Sequence, residues 1–278
     1  LICFEMKISL IVTTYNSPKF LIASLTSLME QTILPDEILI ADDGSKIETK
    51  NEINSFRIKY PEITIKHIWQ KDEGFRAGKI RNHAIQNAKN DYIVQIDGDI
   101  ICHPKFIEDH CSIAEKGYFL CGLKANMSEK QTENLLSKQK TKNIFTKAIV
   151  TKNSFKKNIR IKLLSSLFTR VHHKSSIKGV FGCNFSYWKK DAIGINGYDE
   201  NIQGWGKEDN DFISRLQSYG IKRKTLFFAA LEKHLFHIEN SRENVFSNEK
   251  KYLASIKENK IYCEKGINES QDNYTIFL

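Results

Sequence analysis

Short apolar runs alternate with helically spaced segments along the first hundred residues. The β-prone runs, whose continuous apolar character is typical of strands covered on both faces, are Ile8 to Thr14, Glu37 to Ala41, Ile63 to Trp69 and Tyr92 to Ile96. Between them, apolar side chains recur every three or four positions, as in Leu21, Leu25 and Leu28. This alternation predicts an α/β fold with a single Rossmann-like, mostly parallel sheet flanked by helices. Ligands of such a sheet lie beyond the carboxyl ends of its strands.

Further elements are predicted along the rest of the chain, where the pattern is less regular. The expected helices are Ala77 to Asn90, Pro104 to Lys116, Glu208 to Tyr219 and the polar tail Asn244 to Lys260. The other segments are an apolar run from Tyr118 to Leu123, an ordered segment from Gly179 to Trp188 and a strand from Lys224 to Ala230.

The composition favours one folded α/β unit, because 278 residues that are 41% hydrophobic can build a large core. No window approaches the ~20 apolar residues of a spanning helix, and the opening LICFEMKIS lacks the layout of a secretory signal. We therefore expect a soluble, cytoplasmic protein. The six cysteines contain no CxxC pair, so they indicate neither a zinc site nor a disulfide framework.

The formal charge of +9 is unevenly distributed. Between Lys138 and Lys178 the chain has twelve basic residues and no Asp or Glu. This stretch is interpreted as a basic insertion that is flexible or forms short helices. It favours contact with an anionic surface such as membrane headgroups or a phosphorylated glycan, and a disordered loop with no such contact is the alternative. A nucleic-acid partner is not expected, because few aromatic side chains are interleaved with the basic ones.

The clearest candidate chemistry is the DxD triplet formed by Asp97, Gly98 and Asp99, which directly follows a predicted strand. Two carboxylates separated by a glycine at a strand end can face one hard divalent cation. Substrate phosphates and water then complete the coordination shell of the ion. A solvated turn is the alternative for such a triplet.

Two other polar segments also follow predicted strands. The carboxylates of Asp42 and Asp43 can accept hydrogen bonds from a pyrimidine or a ribose, or can form an Asx turn. Downstream, Arg76, Lys79 and Arg81 lie just before or within the first turns of a helix, where the backbone and the dipole favour a diphosphate. A solvated basic helix face is the competing interpretation.

The segment GWGKEDND contains the remaining candidates in the second half of the chain. Trp205 lies between two glycines and can stack on a sugar, while Glu208 and Asp209 open a helix that their charge stabilises. Further on, His234 and His237 follow a predicted strand and offer imidazole ligands that suit manganese, or are packing residues.

Together these segments resemble the family 2 glycosyltransferases of the GT-A fold. The resemblance rests on ISLIVTTYN, ILIADDGS, DEGFRAGKIRN and QIDGDIICHP in this order, while GWGKEDNDF resembles the acceptor motif of β-1,4-galactosyltransferases and of bacterial chondroitin polymerase. It implies an inverting, metal-dependent transfer from a UDP-sugar, of galactose or N-acetylgalactosamine type. The implied acceptor is a hydroxyl of a bacterial-type surface glycan or of a lipid-linked glycan.

The resemblance also implies individual roles. Asp99 would bind Mn²⁺ or Mg²⁺ with His237 as the histidine ligand, although His234 stays open, and Asp209 would be the catalytic base. Trp205 and Glu208 would contact the acceptor. The implied nucleotide-binding residues are Thr13, Tyr15, Asp42, Asp43, Arg76, Lys79, Arg81 and Asp97.

The predicted organisation follows from these roles. Residues 6–125 form a nucleotide-sugar-binding half, 126–178 the basic insertion, 179–240 the acceptor and catalytic half, and 241–278 a helical tail. Contact with an anionic membrane, peripheral at its inner face, is expected through 138–178. The alternatives are a nucleotidyltransferase and a non-catalytic glycan-binding module on the same fold.

Overall fold

The computed structural model describes residues 6–137, 143–147, 159–171, 182–238, 242–270 and 274–278. The strands are β1 (Ile8–Thr14), β2 (Glu37–Asp42), β3 (Thr64–Gln70), β4 (Tyr92–Asp97), β5 (Ile100–Cys102), β6 (Tyr118–Cys121), β7 (Lys124–Asn126), β8 (Phe185–Trp188), β9 (Lys222–Thr225), β10 (Glu232–His234) and β11 (Tyr274–Phe277). The helices are α1 (Pro18–Leu28), α2 (Ile47–Lys59), α3 (Ala77–Asn87), α4 (Phe106–Ile113), α5 (Glu129–Leu136), α6 (Ile144–Lys147), α7 (Lys162–Val171), α8 (Lys189–Gly194), α9 (Glu208–Ser218) and α10 (Val245–Lys257).

An eight-stranded sheet in the order β11-β3-β2-β1-β4-β8-β6-β9 forms the centre of the fold. The strands β3, β2, β1 and β4 are parallel, β8 runs against both β4 and β6, and β11 runs against β3. Because β9 is parallel to β6, six of the eight strands share one direction. The predicted α/β fold with a mostly parallel sheet is confirmed.

Period-two alternation along the central strand distributes its side chains between two cores. In β1, Leu10 and Val12 pack into one cluster with Leu21 and Leu25 of α1, whereas Ile11 belongs to a cluster on the opposite face of the sheet. Fully burying each such side chain stabilises the fold by about 1.5–3 kcal/mol. The strands are therefore held on both faces, and the positions of their carboxyl ends are fixed.

A second sheet, in the order β5-β10-β7, was not predicted. Its three-residue strands are too short to show a period. The strand predicted from Lys224 to Ala230 is wrong in its second half, because the observed strand ends at Thr225. Phe228 and Ala230 have φ values of 58° and 46°, which no strand accommodates.

The basic insertion is only partly described. Its predicted short helices are present where α6 and α7 lie, whereas residues 138–142, 148–158 and 172–181 are outside the described residues. The cysteines at 102, 111, 121, 183 and 263 are buried and free. None of the helices in the described ranges has both the length and the apolar character needed to cross a membrane.

Candidate active site

The carboxyl ends of three adjacent strands form the floor of the candidate site. In the sheet register, Thr13 of β1 pairs with Asp97 of β4, and Thr14 pairs with Asp42 of β2. The amide of Gly98 donates a hydrogen bond of 2.7 Å to the Thr13 carbonyl, and a Cβ at this glycine would lie 3.1 Å from that oxygen. The turn of the DxD triplet is thus closely packed on β1.

Arg81 of α3 connects three of the predicted residues. Its Nε donates to Thr13 Oγ1 at 3.1 Å, and its two terminal nitrogens donate to Asp97 at 3.0 Å and to Asp209 at 3.1 Å. The Arg81 side chain is only 4% exposed. Burial opposes its charge, but the carboxylates of Asp209 and Asp97 hold the pKa of Arg81 above its ordinary value.

Asp209 lies in the first turn of α9, where further donors fix its carboxylate. The Gly182 amide donates to its Oδ2 at 3.2 Å, and the Tyr198 hydroxyl donates to its Oδ1 at 3.4 Å. A Cβ at Gly182 would lie 2.2 Å from Asp209 Oδ1, so this carboxylate occupies space that only glycine leaves. Arg81, Gly182 and Tyr198 together fix the position of this carboxylate.

Two neighbouring acids have raised pKa values. Burial, followed by the charge of Asp209, raises the pKa of Glu208 to about 7, and its Oε2 accepts a hydrogen bond from the Gly206 amide at 3.0 Å. Burial also raises the pKa of Asp97 to about 6. The negative charge of Asp99 raises this pKa as well, and the guanidinium of Arg81 offsets the rise only in part. The cleft therefore contains carboxyl groups that can exchange protons near neutral pH.

Asp99, His234 and His237 form a group that could hold a metal ion, with one ligand atom from each within 4.8 Å of the others. Antiparallel pairing of β10 with β5 places His234 opposite Ile100, next to Asp99. The Asp99 Oδ2 lies 3.1 Å from Nε2 of His237 and 3.4 Å from Nε2 of His234. Both histidines left open by the sequence thus reach the same carboxylate.

The donor set fits a divalent cation. Asp99 Oδ1 is buried and has no hydrogen-bond partner among the described residues, so this oxygen is available to coordinate an ion. One carboxylate and two imidazoles suit a borderline cation such as manganese. The hydrogen bond to Asp99 raises the pKa of His237 to about 9, whereas burial lowers that of His234 to about 4.

The acids at the carboxyl end of β2 are engaged within the protein. Asp42 is buried, with its carboxylate 2.8 Å from Nε2 of His67 and 2.8 Å from the Ser45 amide. The Asp43 carboxylate accepts a hydrogen bond from the Arg76 amide at 2.6 Å, and burial raises its pKa to about 6. These contacts order the loops at the strand ends. Tyr15 is 48% exposed, and its hydroxyl donates to Asp72 Oδ2 at 2.8 Å.

The basic residues of α3 point in different directions. Lys79 and Arg81 are two positions apart, which places them about 200° apart around a helix. Arg76 binds Glu73 at 2.6 Å, and Arg76 and Lys79 line a separate cavity of about 200 Å³. The structure therefore does not bring Lys79 together with Arg81.

Trp205 is half-buried in the loop that leads to α9. The guanidinium of Arg242 lies 5.4 Å from the centroid of its ring, so part of the ring already has a cationic partner. Trp205 and Glu208 belong to the same loop and first turn, as the GWGKED segment indicated.

Sequence reasoning missed several residues that complete the site. Tyr198 donates to Asp209, and its ring lies 5.5 Å from the Arg81 guanidinium. Gly182 binds Asp209, and His67 binds Asp42. A single tyrosine, glycine or histidine outside a recognisable motif does not reveal a functional role in the sequence, because each of these roles depends on a partner distant in the chain.

Comparison with known proteins agrees with this architecture. Residues 9–192 match the domain described as glycosyl transferase family 2, and residues 163–240 match the N-terminal domain of galactosyltransferase. The chain is 26% identical to chondroitin synthase of Escherichia coli over 239 residues, which are 81% of this chain and 33% of that protein. It is 28% identical to hyaluronan synthase of Pasteurella multocida over 243 residues, which are 79% of this chain and 24% of that protein.

A solved structure, S. aureus TarS 1-349 in complex with UDP, has the same fold with a TM-score of 0.63 and 18% identity, covering 95% of this chain and 68% of that one. The chain spans a third or less of the two synthases named above. Because the family match covers well over half of its length, the chain belongs to glycosyl transferase family 2, and its folded domain is that of a transferase enzyme.

Proposed function

We propose that this domain transfers a sugar from a UDP-sugar to a hydroxyl of a glycan or lipid-linked acceptor, with inversion at the anomeric carbon. The observation that carries the proposal is the convergence of Asp97 and Asp209 on the Arg81 guanidinium, beside Asp99 and two histidines. Acids from both halves of the chain thus meet at one cleft. Family membership supports the reaction class.

On the donor side, Asp99, His237 and His234 would hold Mn²⁺ or Mg²⁺, which would supply positive charge to the departing diphosphate. Thr13 and Tyr15 remain the proposed direct contacts to the nucleoside. Because Asp42 and Asp43 are engaged internally, we assign their contribution to the shape of the nucleoside pocket. The TarS structure in complex with UDP supports a uridine nucleotide here.

The acceptor hydroxyl must lose its proton as the new glycosidic bond forms, and an inverting enzyme needs one base on the side opposite the leaving group. We assign this role to Asp209. Its side chain is 23% exposed, so it can meet an acceptor, and Arg81, Gly182 and Tyr198 orient it. Trp205 would stack on the acceptor sugar, and Glu208 would bind one of its hydroxyls.

Glu208 is the second candidate for the base. A pKa of about 7 suits proton exchange at neutral pH, and Glu208 directly precedes Asp209. The variants Asp209→Asn and Glu208→Gln separate the two assignments. With Asp209 as the base, Asp209→Asn reduces kcat by at least about 10²-fold, while Glu208→Gln changes mainly KM.

A membrane-facing role is proposed for the basic insertion. In α7, Leu163 and Leu167 lie one turn apart and are 82% and 57% exposed, so this helix presents apolar side chains to solvent. Combined with twelve basic residues and no acid in 138–178, such a helix suits an anionic membrane that carries the acceptor. Sedimentation with phosphatidylglycerol vesicles, against phosphatidylcholine vesicles, tests this contact.

The central experiment incubates the protein with Mn²⁺ and each of UDP-galactose, UDP-N-acetylgalactosamine and UDP-N-acetylglucosamine, with and without a glycan acceptor. Release of UDP together with an extended glycan of inverted anomeric configuration supports the proposal. Release of pyrophosphate would indicate the nucleotidyltransferase instead. Glycan binding with no affinity for UDP in calorimetry would indicate a non-catalytic binding module.

A further inference from the structure

A fully buried glutamine lies in the strand that ends at the DxD triplet. Gln95 of β4 has no exposed surface, and in the sheet register it pairs with Ile11 of β1 and Phe185 of β8. Because side chains alternate along a strand, Gln95 lies on the same face of the sheet as Asp97. A polar side chain at the centre of a sheet is costly unless it is hydrogen-bonded, so its partners indicate what it contributes.

The side-chain amide of Gln95 contacts three residues from the second half of the chain. Its Nε2 donates to the Gly182 carbonyl at 3.1 Å and to the Tyr198 hydroxyl oxygen at 2.9 Å. Its Oε1 accepts a hydrogen bond from the Tyr187 hydroxyl at 3.1 Å. Because a carbonyl can only accept, the contact with Gly182 requires the nitrogen of the amide on that side. The amide therefore has one orientation, with its donors toward Gly182 and Tyr198.

Two of these partners, Gly182 and Tyr198, also donate to the carboxylate of Asp209. The Tyr198 hydroxyl has a single proton and two acceptors within reach, Gln95 Oε1 at 3.1 Å and Asp209 Oδ1 at 3.4 Å. Tyr187 already donates to Gln95 Oε1, and a hydrogen bond to a charged carboxylate is stronger than one to a neutral amide. The proton of Tyr198 is therefore directed to Asp209.

We propose that Gln95 is a positioning residue that acts through Tyr198 and Gly182 to hold both oxygens of Asp209 in place. One N–H of its amide donates to the Tyr198 hydroxyl oxygen, which leaves the proton of that hydroxyl for Asp209 Oδ1. The other N–H holds the Gly182 carbonyl, so that the amide of the same glycine faces Asp209 Oδ2. Gln95 is buried, so it acts on the reaction through Asp209 alone. Its effect on catalysis rests on the proposed function, in which Asp209 is the base.

Two substitutions of Gln95 test this role by steady-state kinetics with a UDP-sugar. Gln95→Met keeps a similar volume and removes the amide, while Gln95→Glu keeps the shape and removes both N–H donors. We expect each to lower kcat at least about tenfold, because small displacements of a catalytic group are costly, and to change the KM for the UDP-sugar by less than about twofold. A loss of kcat without a change in KM is not expected of a general loss of folded protein structure around the donor.

The same substitution in a chain that lacks the base separates positioning from a merely structural role. In Asp209→Asn, Gln95→Met should lower the remaining kcat by less than about twofold, because the group that Gln95 positions is already gone. Tyr92→Phe is the matched control. Tyr92 is equally buried in β4, at the end opposite Asp97, and its hydroxyl lies 2.8 Å from Ser186 Oγ. This variant loses a buried hydrogen bond and should keep the kcat of the wild type.

Hydrogen exchange at the Gly182 amide, measured by NMR, reports on the same contacts without catalysis. It should be at least about tenfold faster in Gln95→Met than in the wild type and unchanged in Tyr92→Phe. Unchanged kcat or unchanged exchange in Gln95→Met would overturn the role of Gln95, as would an equal fall of kcat in the wild-type and Asp209→Asn backgrounds. Faster exchange in Gln95→Met, together with no UDP release by the wild type, would support the contacts of Gln95 and contradict the transferase function instead.

Discussion

Arg81 donates a hydrogen bond of 3.1 Å to Asp209, a residue 128 positions further along the chain. The same guanidinium reaches Asp97, so one side chain joins an acid at the end of β4 to an acid in the first turn of α9. Bringing these carboxylates close together without a cation between them would be unfavourable, because like charges repel in a partly desolvated cleft. The arginine therefore preorganises the candidate site before a substrate enters.

Replacement of Arg81 by methionine should disable this arrangement. We expect kcat to fall by at least about 10²-fold, since Asp97 and Asp209 lose their common donor and shift. The free energy of unfolding should fall by about 1–3 kcal/mol. This loss is smaller than the usual cost of breaking a buried ion pair, because the carboxylates of Asp97 and Asp209 are partly exposed. Urea denaturation and UDP release measure the two effects. Arg57→Met, with Arg57 far from these acids in the chain, is the control and should retain activity.

Removal of the Asp99 carboxylate should abolish metal binding. In the wild type, Mn²⁺ at 100 times its Kd should stabilise the fold by about 2.7 kcal/mol, and EDTA should reverse the effect. In Asp99→Asn this stabilisation should be absent, because the remaining imidazoles of His234 and His237 lack the anionic ligand. Thermal unfolding with and without Mn²⁺ measures it. Asp91→Asn, an exposed position, should keep the full shift, and a full shift in Asp99→Asn would remove the metal assignment.

Substitution of alanine for Gly182 tests the orientation of Asp209 without a change of charge. The added Cβ would lie 2.2 Å from Asp209 Oδ1, so the carboxylate must move. A displacement of about 1 Å costs on the order of 10²-fold in rate, so kcat should approach that of Asp209→Asn. Steady-state kinetics with a UDP-sugar measure this effect. Wild-type kcat in Gly182→Ala would show that the position of Asp209 is not critical for the reaction.

Glu208 should make the stability of the protein depend on pH. Its folded pKa of about 7 lies above the ordinary value of 4.5, so the folded state holds a proton that the unfolded state releases between these values. The wild type should therefore lose stability relative to Glu208→Gln as pH rises from 5 to 8, by on the order of 2 kcal/mol. Urea denaturation at both pH values checks this sign. Glu264→Gln, at an 87% exposed side chain, should follow the wild type.

Several features of the fold could be predicted from the sequence because local pattern determines them. The strand Ile8–Thr14 and the starts of helices at Ala77 and Glu208 agree with the apolar spacing and polar boundaries along the chain. The strand predicted through Ala230 failed because residues 226–230 are apolar and, apart from Phe227, buried, yet Phe228 and Ala230 have left-handed backbone conformations. Apolar character reports burial, and it does not report backbone conformation when a segment is short.

The sequence by itself determined the fold class, the family and the acids that follow the strands, because these depend on periodicity and on the order of short segments. Only the tertiary structure decided which of them act together. It brought both His234 and His237 to Asp99, joined Asp97 to Asp209 through Arg81, and turned Lys79 toward a different cavity. Such pairings depend on strand register and on the direction in which a side chain leaves its helix, and both are set by packing between distant segments.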